Sequence, residues 1–319
     1  MFAPGRFRRN TLDEQQIKDV LKAAEGDPQN ARTSPEEQEV VNAARTLDYV
    51  RQYAGKSASG VVSEELIRTL HRLNTEGCDY DGNIPGEYRH HNARAGEYQP
   101  PDHQEIERLM KEFIAFINSA EVVRGYKAPI RAILAHFYLI SIHPFGDGNG
   151  RASRAVEAYI LYQAGYNVRG FYSLANFYYR NRQRYIELLQ DARFKRRGDL
   201  TQFTAFSLEG FAQELERLQE EILEFVRIVL FRDLFNELTL NDKINTRNST
   251  LLEYLTRDGL DGIPLDAFRN RKHYFVKWLY ENRTPKTLQR DLNNLLGQNL
   301  VALKDGKLVA NLELMDDYD

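Results

Sequence analysis

The segment from His143 to Arg154 concentrates groups that phosphoryl or nucleotidyl transfer requires, and it reads HPFGDGNGRASR. His143 can titrate near neutral pH and take a proton from an attacking hydroxyl. Asp147 offers the hard carboxylate oxygens that Mg²⁺ shares with waters and substrate phosphates. Asn149 can donate a hydrogen bond to a phosphate without adding charge. The residue types therefore predict transfer chemistry on a phosphate-bearing substrate.

Glycines and arginines complete this segment. Gly146, Gly148 and Gly150 alternate, which permits positive φ angles and leaves backbone N–H groups unobstructed. The loop leads into a helix predicted to begin near Arg151, where unpaired N–H groups and the positive end of the helix dipole favour a phosphate. Arg151 and Arg154 are three residues apart, so they share a helix face and can make forked contacts with phosphate oxygens.

Taken singly, these features have ordinary explanations. A histidine at a helix end is more often structural than catalytic, DGNG is a common turn, and two arginines at this spacing usually form a solvated face. As a whole, the segment resembles the Fic-family signature HPFx[D/E]GNGRxxR at every fixed position. The resemblance implies a mostly helical Fic core that transfers a nucleotide, usually AMP from ATP, to a Ser, Thr or Tyr hydroxyl of a target protein.

Carried over by position, the resemblance assigns a role to each residue. It implies that His143 deprotonates the target hydroxyl and that Asp147 holds Mg²⁺ between the α- and β-phosphates. Arg151 would bind the β-phosphate and Arg154 the γ-phosphate. The anion hole would be formed by the glycine-rich loop, namely Gly146, Gly148, Asn149 and Gly150. Relatives that phosphorylate depart from this loop, so the intact GNG favours AMP transfer, with removal of AMP or transfer of another group as alternatives.

Two further segments resemble the family. The stretch 80–100 is rich in Gly, Pro and Asn, which predicts a hairpin or loop. Part of it resembles the family's flap, a β-hairpin that holds the target peptide by strand addition: Gly86, Glu87, Tyr88 and Arg89. Tyr185 resembles an aromatic residue that lines the adenine pocket. An ordinary surface hairpin and a core tyrosine are the alternative interpretations.

Many Fic proteins carry an inhibitory helix with the pattern [S/T]xxxE[G/N], whose Glu pairs with the second motif arginine, here Arg154. At the corresponding N-terminal position this sequence has Pro4 for the Ser and Arg8 for the Glu. Either the native start lies upstream or cis inhibition is absent. We expect Arg154 to be free of an inhibitory glutamate.

Hydrophobic periodicity predicts a mainly α protein. Predicted helices cover 13–25, 34–52, 63–73, 103–118, 128–142, 151–164, 182–191 and 200–232. After a polar stretch near 239–248, further helices precede two apolar runs joined by Asp305-Gly306, a strong hairpin signal. We therefore expect an N-terminal helical region (1–60), a Fic-type helical core with a β-hairpin flap (61–240) and a small winged helix-turn-helix domain (241–319).

The C-terminal domain adds candidate partners. Lys286, Gln289 and Arg290 lie on its predicted recognition helix and could contact DNA, although winged helices also bind proteins. The heptad-like stretch 210–230 could form a homodimer face or simply core. A different class of function stays open: a DNA-binding regulator or toxin–antitoxin component whose Fic site senses nucleotide.

Bulk composition sets outer bounds. The chain has 319 residues and a formal net charge of -3, so no global basic field attracts nucleic acid or anionic lipid. Its one cysteine, Cys78, excludes an internal disulfide and fits a reducing cytoplasm. No apolar run approaches the roughly 18 residues of a membrane span and no signal peptide is apparent. We expect a cytoplasmic protein with no membrane partner.

Overall fold

The structure, a computed structural model, describes residues 34–56, 60–78, 82–166, 174–196 and 198–316, together with helical positions at 16, 19, 20 and 22. Most of the predicted helix at 13–25 and the segment around Pro4 and Arg8 lie outside the described residues. The chain divides into two compact units, Met1–Leu215 and Glu216–Asp319.

The described part of the first unit is mainly α-helical, as predicted. Its helices are α1 (Pro35–Lys56), α2 (Glu64–Thr75), α3 (Ile106–Ile117), α4 (Ala120–Gly125), α5 (Ala128–Ile142), α6 (Asn149–Gln163), α7 (Leu174–Arg180) and α8 (Arg182–Gln190), followed by a π-helical turn (Asp191–Lys195) and the long α9 (Thr201–Leu240), which continues into the second unit. The sequence patterns missed α4 and α7, and α9 extends eight residues past its predicted end at 232.

Local capping explains where the first of these helices begin. The Ser34 hydroxyl accepts from the Glu37 backbone N–H, and the Glu37 carboxylate accepts from the Ser34 N–H in return. This reciprocal pair is a capping box, and it confirms the predicted start of α1. Ser63 caps α2 by accepting from the Leu66 N–H. The capping side chains therefore fix the N-termini of both helices.

Helices α5 and α6 bracket the glycine-rich loop. The apolar α5 is largely buried, and its C-cap is His143, whose φ of 54° lies in the left-handed region. Pro144 follows and cannot continue the helix. Phe145 is fully buried in the main core cluster, so its side chain anchors the loop to the core. Helix α6 begins at Asn149, two residues before the predicted start, because Gly148 adopts a positive φ of 74° and caps it.

The predicted β-hairpin flap differs from the structure. Between residues 82 and 102, all of which are described, the pairing is one isolated β-bridge, Ala95 with Tyr98. Gly and Pro are poor strand residues, so a ladder is not favoured here. Instead the segment is fastened to the motif, and its Arg89 N–H donates to Pro144 O at 2.9 Å. We correct the β-hairpin to a flap loop, residues 82–101.

The second unit combines helices with a small antiparallel sheet. After α9 come α10 (Thr246–Leu255), β1 (Ile263–Pro264), α11 (Leu265–Arg269), α12 (Tyr274–Leu279), α13 (Pro285–Gly297), β2 (Val301–Lys304) and β3 (Lys307–Ala310). The strand order is β1-β3-β2, and Ile263 pairs with Leu308. Asp305 and Gly306 both have positive φ in the turn between β2 and β3, so the predicted hairpin is confirmed.

Three expectations about this unit stay predictions. The expected boundary at 240 coincides with the end of α9, whereas the compact unit begins within that helix at Glu216. The element order is that expected for a winged helix, and this assignment is still an interpretation. On α9, Ile222, Phe225 and Val229 are exposed, so a homodimer face remains a prediction. Within the described residues, no helix is both long and apolar enough to cross a membrane.

Candidate active site

His143 is placed to act as a base. Its Nδ1 lies 3.4 Å from the carbonyl oxygen of Ile140, so the proton is best assigned to Nδ1 and the Nε2 lone pair is left available. Burial lowers the pKa of His143 to about 4, and the positive charges of Arg89 and Arg193 act in the same direction. The imidazole is therefore neutral at physiological pH, the state in which it can accept a proton.

Asn149 shapes the loop between the two helices. Its side-chain oxygen accepts from the Phe145 N–H, and its amide nitrogen donates to the Phe145 carbonyl, both at 2.9 Å. The residue is buried. The side chain thus clamps the turn closed, which differs from the sequence expectation that it donates to a phosphate. These two hydrogen bonds hold the turn at the N-terminus of α6, and the expected part of Asn149 in an anion hole stays a prediction.

Gly146 and Gly148 lie where no side chain fits. A Cβ on Gly146 would come within 2.2 Å of Gly82 O in the flap loop. A Cβ on Gly148 would lie 2.6 Å from Thr75 Cγ2, and the positive φ adds strain for any residue with a side chain. The flap loop therefore approaches the motif backbone closely at Gly146, and α2 does so at Gly148.

Asp147 has the accessibility that a cation ligand needs. Its side chain is 51% exposed and one oxygen lies 3.8 Å from Arg151 Nη2. The same carboxylate accepts from the Gly148 N–H. Within the described residues there is no cluster of three or more acidic, His or Cys side chains that could hold a metal ion. An accessible carboxylate fits Mg²⁺, which commonly uses one or two protein carboxylates with phosphates and waters.

The two motif arginines have different surroundings. Arg151 Nη1 lies 3.4 Å from the Glu39 carboxylate on α1 and 3.3 Å from the Asn74 carbonyl on α2. Arg154 makes no hydrogen bond or ion pair with any described residue, and its guanidinium lies over Gly150. Burial lowers the pKa of Arg154, whereas the nearby Tyr185 acts in the opposite direction. No sequence pattern marked Glu39 as a neighbour of the site.

His71 joins the motif to the flap loop. Its ring stacks on Phe145 with centroids 3.7 Å apart. Nδ1 accepts from the Gly86 N–H at 2.9 Å, so Nε2 carries the hydrogen and donates to Asp147 O, also at 2.9 Å. Sequence reasoning missed this residue, because nothing local marks a helical histidine as a link between two loops.

We expect the link through His71 to be acid-labile. Burial lowers its folded pKa to about 4, below the ordinary value of 6.5, so the unfolded chain takes up the proton first. Stability is then fully present above pH 6.5 and falls as the pH drops toward 4, by up to about 1.4 kcal/mol per pH unit for one group. Urea denaturation of wild type and His71→Gln between pH 4 and 7 measures the difference, since Gln can keep both hydrogen bonds without titrating. Equal pH dependence in the two proteins would contradict this assignment.

The flap residues divide into buried and accessible members. Arg89 is buried, and its guanidinium donates to His143 O at 2.8 Å, His91 O at 2.8 Å and Pro101 O at 2.6 Å. Tyr88 is also buried, with the Arg68 guanidinium 3.8 Å from its ring centroid. These two side chains anchor the loop, and the expectation that the flap residues bind a target through the backbone stays a prediction. Gly86 is partly exposed and Glu87 exposed, so these positions remain accessible.

Tyr185 lies at the end of a buried polar chain. Its hydroxyl is 2.9 Å from His136 Nε2, and His136 Nδ1 is 2.7 Å from Glu157 Oε2. Burial raises the pKa of Tyr185 to about 12, while the charges of Arg154 and Arg193 act against that rise. Sequence reasoning found Tyr185 and Arg154. It missed His136 on α5, Glu157 on α6 and Arg193 on the π-helical turn.

The helical core thus presents a neutral histidine, a glycine loop and an accessible carboxylate within one short segment. Residues 61–161 match the model of the Fic/DOC family. The chain therefore carries a Fic/DOC domain, and the resemblance found in the sequence is confirmed.

Curated relatives match part of the chain. The protein adenylyltransferase Fic of Aedes aegypti is 26% identical over 161 residues, which cover 49% of this chain and 30% of the relative. The protein of the same name from Drosophila melanogaster is 39% identical over 82 residues, covering 25% of this chain and 16% of the relative. The chain thus spans less than a third of these relatives' length.

Solved structures support the fold. A Fic family protein from Desulfovibrio desulfuricans G20 has a TM-score of 0.52 and 17% identity, and the match covers 93% of this chain and 78% of that chain. Fic-1 from C. elegans has a TM-score of 0.53 and 22% identity, with 66% and 59% covered. Together with the mainly helical architecture, these matches confirm the predicted Fic-type helical fold.

Proposed function

We propose that this protein transfers AMP from ATP, with Mg²⁺, to a Ser, Thr or Tyr hydroxyl of a target protein or of itself. The observation that carries the proposal is the neutral, partly buried His143 at the end of α5, next to a glycine loop that leads into the N-terminus of α6. Relatives named protein adenylyltransferase share this domain at 26% identity. The single buried Cys78 agrees with a reducing cytoplasm.

Each step of the transfer has a candidate residue. His143 Nε2 takes the proton of the target hydroxyl, whose oxygen forms a bond to the α-phosphorus as the bond to pyrophosphate breaks. The N–H groups at the start of α6, with Arg151 and Arg154, bind the phosphate oxygens and the departing pyrophosphate. Asp147 would hold Mg²⁺, which neutralises phosphate charge when it is bound.

The accessible part of the flap loop is the proposed binding site for the target. Gly86 and Glu87 can offer backbone groups to an extended peptide, while the buried Tyr88 and Arg89 keep the loop against the motif. Recognition through backbone groups would select an extended segment with an exposed hydroxyl and little else.

The test uses ATP labelled at the α- or the γ-phosphate, incubated with the protein, Mg²⁺ and a cell lysate. Label transferred from the α position alone is the expected result, on the protein itself or on a lysate protein. Label from γ alone would mean phosphorylation and would overturn the proposal. Label that leaves a pre-modified protein would favour removal of AMP.

A second candidate function, DNA binding, is favoured by the exposed face of α13. Lys286, Gln289 and Arg290 are all exposed on it. Asp291, which would repel phosphate, is buried and bound to Arg247 at 2.9 Å instead. The helix therefore presents cations and an amide to solvent, a surface suited to phosphate and base contacts.

If α13 binds DNA, a random duplex should be retarded in a gel at low salt and released as salt rises, because bound phosphates displace counterions. Lys286→Ala with Arg290→Ala should weaken binding and lower the salt slope by about one for each cation that touches a phosphate. Lys111→Ala, which removes an exposed cation of the first unit, is the matched control. If the double variant retarded the duplex as strongly as wild type, and raising the salt did not release it, DNA binding by α13 would be ruled out.

A further inference from the structure

The C-terminal end of α5, which carries His143, receives hydrogen bonds from the flap loop. The last carbonyl groups of an α-helix have no partner within the helix and must find donors elsewhere. The Tyr98 hydroxyl donates to Ser141 O at 2.7 Å, and Arg89 Nε donates to His143 O at 2.8 Å. Both donors belong to the flap loop, so this loop supplies the C-terminal cap that α5 itself lacks.

Arg193 holds Tyr98 in this place. Its guanidinium carbon lies 3.9 Å from the centroid of the Tyr98 ring, and its Nε donates to Ser141 Oγ at 2.9 Å. The neighbouring Phe194 meets the edge of the same ring, with centroids 6.0 Å apart. Ser141 therefore accepts twice, through its carbonyl from Tyr98 and through its hydroxyl from Arg193. We call Tyr98, Ser141 and Arg193 the clasp.

The clasp joins three elements that are far apart in the sequence: the flap loop, the end of α5 and the π-helical turn Asp191–Lys195. Two hydrogen bonds and a cation–π contact close it. A π-helical turn is a distortion that often occurs at functional sites. Here it places Arg193 against Ser141, two residues before the proposed base.

The backbone of His143 depends on this support. Its φ of 54° lies in the left-handed region, which disfavours a residue with a side chain and persists only where the surroundings fix it. The carbonyl groups before and after this strained torsion, Ser141 O and His143 O, are both held by the flap loop. If either bond is lost, the backbone can relax at residue 143, and the imidazole turns with it.

We propose that Tyr98 and Arg193 are positioning residues for the base: they fasten the flap loop to the end of α5 and thereby keep the His143 imidazole in one orientation. The inference rests on the proposed function, because it takes His143 as the base. Tyr98 bonds to a backbone oxygen, so it acts through the helix end and not on the reacting atoms. A target that docks on Gly86 and Glu87 binds the same loop, so target docking and the placement of the base depend on one segment.

The first experiment separates the rate of AMP transfer from the affinity for ATP, on the full chain with Mg²⁺. Tyr98→Phe removes the hydroxyl and keeps the ring, whereas Arg193→Lys keeps the charge and loses the planar group. Each should slow transfer from α-labelled ATP at least about tenfold, because misplacing a reacting group by about 1 Å costs on the order of 100-fold. Calorimetric ATP affinity should stay within about twofold of wild type, since neither change removes a proposed phosphate ligand.

Combining the two substitutions tests whether they act through one clasp. If they do, the double variant should lose less activity than the product of the two single losses. Losses that multiply would overturn the clasp as a unit. ATP affinity that falls in parallel with the rate would overturn the positioning role, because a displaced base does not weaken nucleotide binding.

The matched control is Tyr159→Phe. The Tyr159 hydroxyl donates to Val61 O at 3.2 Å, so this variant also removes one bond from a tyrosine to a backbone carbonyl, but one that does not involve α5. Both Tyr→Phe variants should lower the melting temperature, whereas only Tyr98→Phe should slow transfer at a temperature where both are folded. Equal rates in the two variants would mean that Tyr98 contributes to stability alone, and the inference would be wrong.

The second experiment needs no nucleotide. ¹⁵N NMR of histidine-labelled protein distinguishes the ring tautomers, and His143→Ala identifies the signal of His143 among the seven histidines. In wild type the hydrogen is expected on Nδ1, which faces Ile140 O. Tyr98→Phe should give a mixture of both tautomers, because the ring is no longer held at that carbonyl, and Tyr159→Phe should match wild type.

A His143 signal that is identical in wild type and Tyr98→Phe would overturn the positioning role, whatever happens to ATP. Wild-type protein that transfers no AMP would instead overturn the proposed function. The comparison of tautomers would then decide by itself whether the clasp orients the imidazole.

Discussion

Replacing His143 with alanine should abolish transfer of labelled AMP while leaving the affinity for ATP nearly unchanged. The substitution removes the base and no phosphate ligand. A positioned base typically contributes on the order of 10²–10⁴-fold to a rate, so the remaining activity should be at or below the limit of a labelling assay. Initial rates with α-labelled ATP, together with calorimetric ATP titration, measure the two quantities separately.

The control for this variant is His103→Ala. His103 is a partly exposed histidine at the start of a short 3₁₀ turn, hydrogen-bonded to Asn92 and far from the motif in sequence. Its loss should leave the rate unchanged. If His143→Ala lost ATP binding in parallel with transfer, His143 would be a binding or structural residue and the role of base would be wrong. If it kept the rate, another group would have to take the hydroxyl proton.

We expect the substitution to affect transfer and not the fold, because the hydrogen bonds that hold residue 143 come from its backbone. Its backbone N–H donates to Leu139 O at 3.0 Å, and its own carbonyl accepts from Arg89 Nε at 2.8 Å. The main chain at this position is therefore fixed by bonds that alanine keeps. Removing the imidazole leaves the end of α5, the loop and the start of α6 supported as before.

Part of this site could be read from the sequence because its signals are local. Pro144 after an apolar helix, glycines at alternate positions and two arginines three apart each constrain their own neighbourhood, and the structure places the end of α5 and the start of α6 accordingly. The hairpin between β2 and β3 was equally readable, since Asp305-Gly306 carries the positive φ angles that the turn needs.

The rest depends on interactions between distant residues, which no local pattern encodes. Glu39 meets Arg151 across 112 positions, and Glu157 meets His136 across 21. Sequence alone also could not tell that Arg89 would commit its donors to three carbonyl groups instead of facing a target. For charged side chains, the identity of the residue predicts the chemistry that is possible, while burial and partners decide which of it is used.

The second large effect concerns the backbone of the loop: Gly148→Ala should both destabilise the protein and remove most transfer activity. The φ of 74° costs a residue with a Cβ about 1 kcal/mol or more. The added methyl would also lie 2.6 Å from Thr75 Cγ2 and 3.3 Å from the His71 ring. Overpacking of this kind typically costs about 1–3 kcal/mol, and relief would shift the N-terminus of α6 where the phosphates are expected to bind.

Gly165→Ala separates the two causes, because Gly165 also has a positive φ, 79°, but a Cβ there would meet nothing within 4 Å. It should lower the melting temperature only through backbone strain and leave the rate of AMP transfer unchanged. Gly148→Ala should melt at a lower temperature than Gly165→Ala and lose activity on the order of 100-fold, since misplacing a phosphate site by about 1 Å has that cost. Equal melting temperatures and equal rates in the two variants would show that the space beside Thr75 is not limiting. The loop would then tolerate a side chain at Gly148, and its N–H groups could not be the fixed phosphate site that the proposed function requires.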